Sequence, residues 1–179
     1  MKRKIVLSLA MSLDGFIAGE DGSFDWIKGD GDKAQDTKEK FDMTTFIGTV
    51  DTIVMGRNAW EICTPETLEL FKNTKIYVAT HREIENLPDN VEVISGDIVQ
   101  KITELKKEDG KDIWIFGGAI IADYFLKEDI IDEYIIAVVP LILGKGKPLF
   151  LENNPTIELH LDKLTSAEGI VMLIYSKRK

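Results

Sequence analysis

The sequence WIFGGAIIADYFLKEDIIDEYIIAVVPLILGKGKPLF, residues 114–150, carries the strongest fold signal in the chain. An apolar strand is predicted over 112–116, and Gly117 and Gly118 follow it directly. After the glycines, apolar side chains recur at helical spacing, at Ile120, Ile121, Tyr124 and Phe125. A second apolar strand covers 134–139. The two glycines either make a tight turn or let a ligand approach the backbone, and the N-terminus of the helix would favour a phosphate there.

The rest of the chain continues the alternation of strands and helices. Further strands are predicted over 4–11, 51–55, 75–80 and 91–95, and helices over 33–48 and 98–107. Near the end of the chain, 157–164 and 169–175 indicate an antiparallel pair. The sequence therefore predicts one α/β domain over 1–179, with flanking helices on a mixed, mostly parallel sheet of about eight strands.

Composition narrows the class of partner. The chain has 31 acidic and 22 basic residues, a formal net charge of −9, which argues against a nucleic-acid or anionic-membrane binder. The single cysteine, Cys63, excludes an internal disulfide, and with only His81 and His160 the sequence signals no metal site. With no secretory signal and no apolar run long enough to span a membrane, we expect a cytoplasmic protein acting on a small molecule.

Three predicted strand ends carry glycines or cations. They are Gly56-Arg57, Thr80-His81-Arg82 and Gly117-Gly118. Because ligands bind beyond the carboxyl ends of parallel strands, the three ends together predict one large phosphorylated ligand. Arg82 has an alternative interpretation as a solvated loop charge.

Several motifs resemble one enzyme family. They are S-L-D-G-F-I-A at 12–18, M-G-R at 55–57, G-G at 117–118, I-D-E-Y at 131–134 and the run from Pro140 to Phe150. Together they resemble the reductase domain of the bifunctional riboflavin-biosynthesis deaminase/reductase, and more widely the dihydrofolate-reductase-like superfamily with its small single-domain bacterial members. The resemblance covers roughly 5–175 and implies a three-layer sandwich. The zinc motifs of the deaminase half, H-x-E and P-C-x-x-C, do not occur.

The resemblance implies NADPH as the cofactor. Its phosphates would lie against Gly56, Arg57, Gly117, Gly118, Ala119 and Ile120. Thr80, His81 and Arg82 would contact the adenosine 2′-phosphate, which favours NADP(H) over NAD(H) by charge. Ala10 and Ile17 would flank the nicotinamide.

The substrate side is less specific. Asp14 either contacts the substrate or makes a local Asx turn towards Phe16, and Trp26 and Met43 are candidate substrate contacts. Dihydrofolate reductases place an acid on the first helix, but the corresponding position is Lys40. The candidate catalytic acids are therefore the nearby Glu39 and Asp42, together with Asp14.

These residues predict an NADPH-dependent reductase of a small heterocyclic substrate, resembling either a riboflavin precursor or a pterin. The activity implied by the riboflavin-type resemblance is that of a 5-amino-6-(5-phosphoribosylamino)uracil reductase. One alternative is a nucleotide-binding module that retains the cleft without turnover. Another is a dimeric scaffold, in which the apolar run 134–143 supplies a strand to a homodimer interface; core burial explains that run equally well.

Overall fold

A central eight-stranded sheet organises the molecule, a computed structural model in which residues 3–178 are described. The strands are β1 (Ile5–Ser12), β2 (Phe16–Ala18), β3 (Val50–Gly56), β4 (Lys75–Ala79), β5 (Val91–Ile94), β6 (Asp112–Gly117), β7 (Glu133–Val139), β8 (Lys147–Pro148), β9 (Leu159–Ala167) and β10 (Ile170–Lys177). The helices are α1 (Met43–Gly48), α2 (Arg57–Glu61), α3 (Pro65–Leu70), α4 (Ile98–Leu105) and α5 (Ala119–Lys127).

The strand order is β5-β4-β3-β6-β1-β7-β10-β9. Strands β5 to β7 in that order are parallel, and β10 runs antiparallel to both β7 and β9. The short strands β2 and β8 form a separate antiparallel pair. The mixed, mostly parallel sheet and its C-terminal antiparallel pair are confirmed.

Apolar cores lie on both faces of the sheet. On one face, Ile121 and Phe125 of α5 and Ile102 of α4 pack with Leu7 and Ile115. The second core includes, from the other face, Phe46 of α1, Ala59 of α2, Phe71, Val6 and Trp114. Alternate residues of β1 and β6 thus face opposite cores, as expected for strands covered on both sides. The result is the three-layer arrangement of the dihydrofolate-reductase-like fold.

The predicted helix over 33–48 is wrong, because only Met43–Gly48 is helical. Asp42 has extended backbone angles, φ −111° and ψ 109°, and its carboxylate accepts hydrogen bonds from the amides of Thr44 and Thr45. That side chain starts the helix at residue 43. The preceding polar segment instead runs beside the end of β9, where the Thr37 amide donates to the Ser166 carbonyl at 3.0 Å. Tertiary hydrogen bonds there replace the helical ladder that the periodicity predicted.

Strand β7 is an interior strand and cannot supply an edge to a partner. It pairs with β1 on one side and β10 on the other. Tyr134, Ile135, Ile136 and Val139 are all buried. The interface predicted for 134–143 is therefore wrong over its strand, and core burial explains its apolar residues. No helix among residues 3–178 has the length and apolarity to cross a membrane.

Candidate active site

The predicted ligand-facing strand ends lie together where the parallel strands have their carboxyl ends, which we call the carboxyl edge of the sheet. Strands β4, β3 and β6 are parallel neighbours, so Ala79, Gly56 and Gly117 end their strands side by side. Strand β1 is parallel to β6, and its end at Ser12 points to the same edge. Topology thus brings together residues that are up to about a hundred positions apart in the sequence.

The sheet is open between β1 and β6 at this edge. The two strands pair only from Ile5–Ile113 to Leu7–Ile115. Beyond that point β1 stays paired with β7 as far as Ser12–Val139, while β6 stays paired with β3 as far as Gly117. The facing edges of Ser8–Ser12 and Phe116–Gly117 therefore bound a crevice, which we call the seam.

A bulge and a tryptophan account for the seam. Val54 pairs with Ile115 but Met55 pairs with Gly117, so Phe116 is an extra residue in β6. Such a bulge bends a strand away from its neighbour. Where β1 and β6 are paired, the Ile113 amide donates to the Lys4 carbonyl. In a regular parallel ladder this hydrogen bond repeats every second residue, which would bring the Gly117 amide to the Ser8 carbonyl. Instead the buried Trp114 indole donates to the Ser8 carbonyl, with Nε1 to O at 2.9 Å.

Aromatic packing fixes the position of that indole. Trp114 lies edge-on to Phe46 at a centroid distance of 5.0 Å, to Phe71 at 5.6 Å and to Phe116 at 5.1 Å. Edge-to-face contacts at these distances are favourable. The sequence analysis missed Trp114 as a site residue, because its indole bond depends on where β1 and β6 part, which no spacing in the sequence reveals.

The two glycines at the junction of β6 and α5 lie beside the seam. Gly118 is the N-cap residue of α5 at φ +90°, a conformation that side chains rarely adopt. A Cβ built on Gly117 would meet no heavy atom within 4 Å. Gly56 differs, since a Cβ there would lie 3.1 Å from Ile121 Cγ1, so its lack of a side chain lets α5 pack closely. Its predicted phosphate contact stays a prediction.

A cleft opens between α4 and α5, beyond the end of β4. Its volume is about 860 Å³, within the usual range for small-molecule sites. Three predicted cofactor residues line it, Thr80, His81 and Ile120, and Tyr124 and Asp97 are further lining residues. Ala119, half-buried, begins α5 between the seam and this cleft.

The two predicted arginines occupy different surroundings. Arg57 Nε lies 2.5 Å from Glu61 Oε1, one turn along α2, and this pair is partly exposed. Arg82 is exposed, and its amide donates to Thr80 Oγ1 at 3.1 Å. Neither side chain is buried, so either cation can reorient towards an anion at modest cost.

Two residues predicted to flank a nicotinamide lie around the seam. Ala10 is in the part of β1 that β6 no longer covers, paired with Ala137 on its other side. Ile17 is in β2, is partly buried against the core on the α5 side, and belongs to a strand that contacts β1. The structure therefore brings both residues to the same end of β1.

Asp14 ties the end of β1 to the loop after β7. Its Oδ1 accepts from the Ser12 hydroxyl at 2.6 Å and the Leu143 amide at 3.0 Å, and its Oδ2 accepts from the Gly144 amide at 2.8 Å. The hydrogen bond from Ser12 and those from the two amides lower the pKa of Asp14 to about 2. Of the two interpretations of Asp14, the Asx turn towards Phe16 is wrong, because the Phe16 amide donates to Ser12 Oγ. Asp14 is an ionised loop anchor, which does not suit a proton donor.

The two carboxylates of the supposed first helix have other partners. Glu39 is exposed, outside any helix, and its Oε1 lies 2.5 Å from Lys163 Nζ on β9. Asp42 caps α1, and the Thr45 hydroxyl and Thr44 amide hold its pKa below the usual value. Lys40 pairs with Asp36 at 2.6 Å. The geometry gives neither Glu39 nor Asp42 the environment of a catalytic acid.

Trp26 lies in the loop after β2, and Met43 is the first residue of α1. The Trp26 indole donates to the Ser23 carbonyl at 3.2 Å within its own loop. Met43 begins α1 and is 45% exposed. Their substrate contacts remain predictions. Within residues 3–178, no three His, Cys, Asp or Glu side chains meet in a way that could hold a metal ion.

Known proteins resemble this chain over nearly its whole length. YwjB, an uncharacterized protein of Bacillus subtilis strain 168, is 40% identical over 181 residues, covering 98% of both chains. YyaP of the same strain, also uncharacterized, is 34% identical over 189 residues, covering 97% of this chain and 95% of YyaP. The riboflavin biosynthesis protein RibD of Corynebacterium ammoniagenes is 25% identical over 151 residues. The match covers 79% of this chain and 44% of RibD.

Solved structures share the fold. A protein of Shewanella sp. PV-4 with a provisional riboflavin-biosynthesis name matches 98% of this chain and 99% of its own, with a TM-score of 0.79 and 25% identity. The Thermotoga maritima diaminohydroxyphosphoribosylaminopyrimidine deaminase/5-amino-6-(5-phosphoribosylamino)uracil reductase aligns over 99% of this chain and 57% of its own, with a TM-score of 0.72 and 18% identity. The sequence profile of the RibD C-terminal domain matches residues 3–172. The chain therefore belongs to the RibD C-terminal domain family.

Proposed function

We propose that this protein is an NADPH-dependent oxidoreductase that transfers hydride to a small heterocyclic substrate. The seam between β1 and β6 carries the proposal. A flat ring can enter a crevice whose facing strand edges are not paired with each other, and their backbone groups can bond its polar substituents. Family membership makes a reductase the favoured chemistry, since relatives are named for riboflavin biosynthesis and one of them for a uracil reductase.

The residues around the seam suit a dinucleotide. Open space in front of Gly117 and the positive φ of Gly118 leave room for a phosphate against the start of α5. The cleft between α4 and α5 has Ile120, two residues after Gly118, in its lining, and apolar Ile120 and Tyr124 would form one wall for an adenine. Arg57 directly follows Gly56, the last residue of β3, at the same end of the parallel strands. NADPH, when bound, would supply the hydride.

The chain itself would position rather than react. Ala10 and Ile17 would hold the nicotinamide against the end of β1. The hydrogen-bonded pairing of β1 with β6 at the start of β1 would keep the strand in position. Hydride transfer needs no protein nucleophile. Because Asp14 and Asp42 have lowered pKa values and Glu39 pairs with Lys163, we propose that the accompanying proton comes from water.

The proposed acceptor resembles a riboflavin precursor more closely than a folate. Lys40 replaces the acid expected of dihydrofolate reductases, and it pairs with Asp36 outside any helix. A pyrimidine carrying a phosphorylated ribosylamino group, the substrate class in the name of the Thermotoga relative, is the first compound to test. A pterin that can still accept a hydride is the second.

Cofactor titration tests the proposal. We expect NADPH to bind by calorimetry more tightly than NADH, and Gly117→Asp to weaken NADPH binding about 100-fold, near 2.7 kcal/mol, because a carboxylate would face the phosphate. Gly48→Asp is the control for the added charge, since Gly48 also has open space but lies at the opposite end of the parallel strands, before β3. If neither dinucleotide binds the unmodified protein, the proposed function is wrong.

One observation favours a second candidate, a nucleotide-binding module without turnover. The three predicted catalytic carboxylates all have other partners. A protein that binds NADPH but oxidises it with neither the pyrimidine nor the pterin substrate would support this candidate. Consumption of NADPH with either substrate would eliminate it.

A further inference from the structure

The segment between β1 and α1 carries more than half of the excess negative charge of the chain. This segment, residues 13–42, is called the entry segment below. It contains nine acidic and four basic residues, a net charge of −5, against −9 for the whole chain. It contains no arginine, the side chain best suited to binding a phosphate. A region with this charge repels an anion that approaches it.

The entry segment borders the seam at both of its ends. It leaves β1 at the carboxyl edge, where β1 is no longer paired with β6. Further along, the Asp30 amide donates to the Glu168 carbonyl at 2.9 Å, in the turn between β9 and β10. The chain then returns to α1, where the Phe46 ring lies 5.0 Å from that of Trp114. Since the dinucleotide phosphates are proposed at the start of α5, an acceptor would reach the nicotinamide along the entry segment.

The lysines around the entry segment are mostly paired with the protein's own carboxylates. Lys28 and Lys38 are exposed and form no ion pair within residues 3–178, and solvent and salt screen such charges. Hydrogen bonds from Ser23 lower the pKa of Asp21, and the charge of the nearby Lys147 lowers it further. The remaining pairs are Lys33 with Glu168 at 3.2 Å, Lys40 with Asp36 at 2.6 Å, Lys145 with Glu20 at 2.7 Å and Lys163 with Glu39 at 2.5 Å.

A carboxylate also occupies the backbone amides of the loop after β7. Residues 144–147 of that loop read Gly-Lys-Gly-Lys, a composition that suits a phosphate-binding loop. Asp14 nevertheless accepts hydrogen bonds from the amides of Leu143 and Gly144, at 3.0 and 2.8 Å. The protein's own anion thus takes the place in which a phosphate would bond these two amides.

The helices on the two sides of the seam begin differently. At the start of α1, the Asp42 carboxylate accepts hydrogen bonds from the amides of Thr44 and Thr45. At the start of α5, the N-cap residue is Gly118, and no side chain caps the helix. The side proposed for the cofactor therefore leaves helix amides open to a phosphate, whereas the acceptor side fills them with a carboxylate.

We infer that the acceptor carries no phosphate and is an uncharged pyrimidine whose ribose, where present, ends in a free hydroxyl. The inference rests on the proposed function and names its substrate class. Carboxylates of the entry segment would repel a phosphate dianion but can accept hydrogen bonds from sugar hydroxyls and ring N–H groups. In either form, one atom of the reduced double bond takes the hydride from NADPH and the other takes a proton from water. The phosphate therefore changes binding and not the reaction.

Two forms of one pyrimidine test the inference. The first is 5-amino-6-(5-phosphoribosylamino)uracil, the compound in the name of the Thermotoga relative, and the second is the same compound without its phosphate. At saturating NADPH, we expect kcat/KM of the phosphate-free form to be at least about tenfold higher, through a lower KM. Added salt should narrow this ratio, because screening weakens the repulsion of the phosphate.

A charge variant sharpens the test. Glu20→Gln removes one acid of the entry segment and releases Lys145, and it should raise the relative kcat/KM of the phosphorylated form about fivefold. Glu69→Gln is the matched control, since Glu69 is also exposed and pairs with a lysine, Lys72 at 2.5 Å, but lies on α3. The control should leave the ratio of the two forms unchanged.

Binding separates the outcomes even without turnover. Calorimetric titration of both forms into the protein saturated with NADP⁺ should show the same preference for the phosphate-free compound. If the phosphorylated form binds as tightly or more tightly, or if neither form binds, the inference is wrong, and the proposed function is still judged by its own cofactor titration. A protein that binds no dinucleotide overturns both.

Discussion

Strand β1 has two flanks that behave differently. Towards β7 it is paired from Val6 to Ser12, the full length of the shared edge. Towards β6 it is paired only from Ile5 to Leu7, although both strands continue. Within this one strand of eight residues, the side facing β7 is fully paired, and the side facing β6 is paired only at its start.

The difference teaches what opening a sheet requires. A carbonyl freed from a ladder and kept from water is destabilising unless another donor reaches it. At the seam that donor is the Trp114 indole, which reaches the Ser8 carbonyl. On the closed flank no substitute is needed, and Asp14 instead fastens the end of β1 to the loop after β7. The pairing of β1 with β7 and the hydrogen bonds of Asp14 hold β1 in position, so a site can open on its other side, towards β6.

The largest effect is expected in the zipped part of the strand. Leu7 is fully buried in the core on the α5 side, and β1 is paired on both sides at this residue. Leu7→Ala should lower the free energy of unfolding by about 2–5 kcal/mol, because it leaves a cavity in that core. Chemical denaturation measures it. Leu13→Ala, at a position that is 63% exposed just past the end of β1, should change stability by less than about 0.5 kcal/mol. Equal losses of stability in Leu7→Ala and Leu13→Ala would contradict this prediction.

An intermediate effect is expected at the seam. Trp114→Phe keeps an aromatic ring but removes the donor to the Ser8 carbonyl, which should cost about 1–3 kcal/mol of stability. If the Gly117 amide then pairs with that carbonyl, the crevice narrows and NADPH binding should weaken about tenfold.

Hydrogen exchange separates the two consequences of Trp114→Phe. The Gly117 amide should become more protected in the variant if the seam closes. Trp60→Phe, a half-buried position that packs against the same core, is the matched control and should change neither exchange nor affinity. Unaltered NADPH affinity in a folded Trp114→Phe protein would show that the indole does not hold the seam open.

The smallest effect is expected on the closed flank. Asp14 has a pKa of about 2 against an ordinary 3.8, so its ionised form stabilises the folded protein. That contribution is present above pH 3.8 and is lost as the pH falls towards 2. Asp14→Asn should therefore lower Tm at neutral pH, and the gap from the unmodified protein should close towards pH 2. Asp25→Asn, in the next loop, is the control; a gap that stays constant with pH would refute this role.

Most of the fold could be predicted from the sequence. Continuous apolar runs in β1, β3, β4, β6 and β7 follow from burial on both faces, which local composition expresses directly. The prediction of a helix over 33–48 was wrong before residue 43, because that segment makes tertiary hydrogen bonds instead: the Thr37 amide donates to the Ser166 carbonyl, and the Asp36 carboxylate accepts from the Glu168 amide just after β9. Helices α2 and α3, of five and six residues, are too short for periodicity to detect.

The sequence by itself determined the strand–glycine–helix junction at Gly117 and Gly118, because a requirement for positive φ is written in the residue type. Only the tertiary structure decided that β6 leaves β1 after Ile115, and that Trp114 and Asp14 act as anchors. Those roles depend on partners more than a hundred residues away. Local propensity acts within a few residues, whereas a buried carbonyl or carboxylate takes whichever donor the folded chain brings to it.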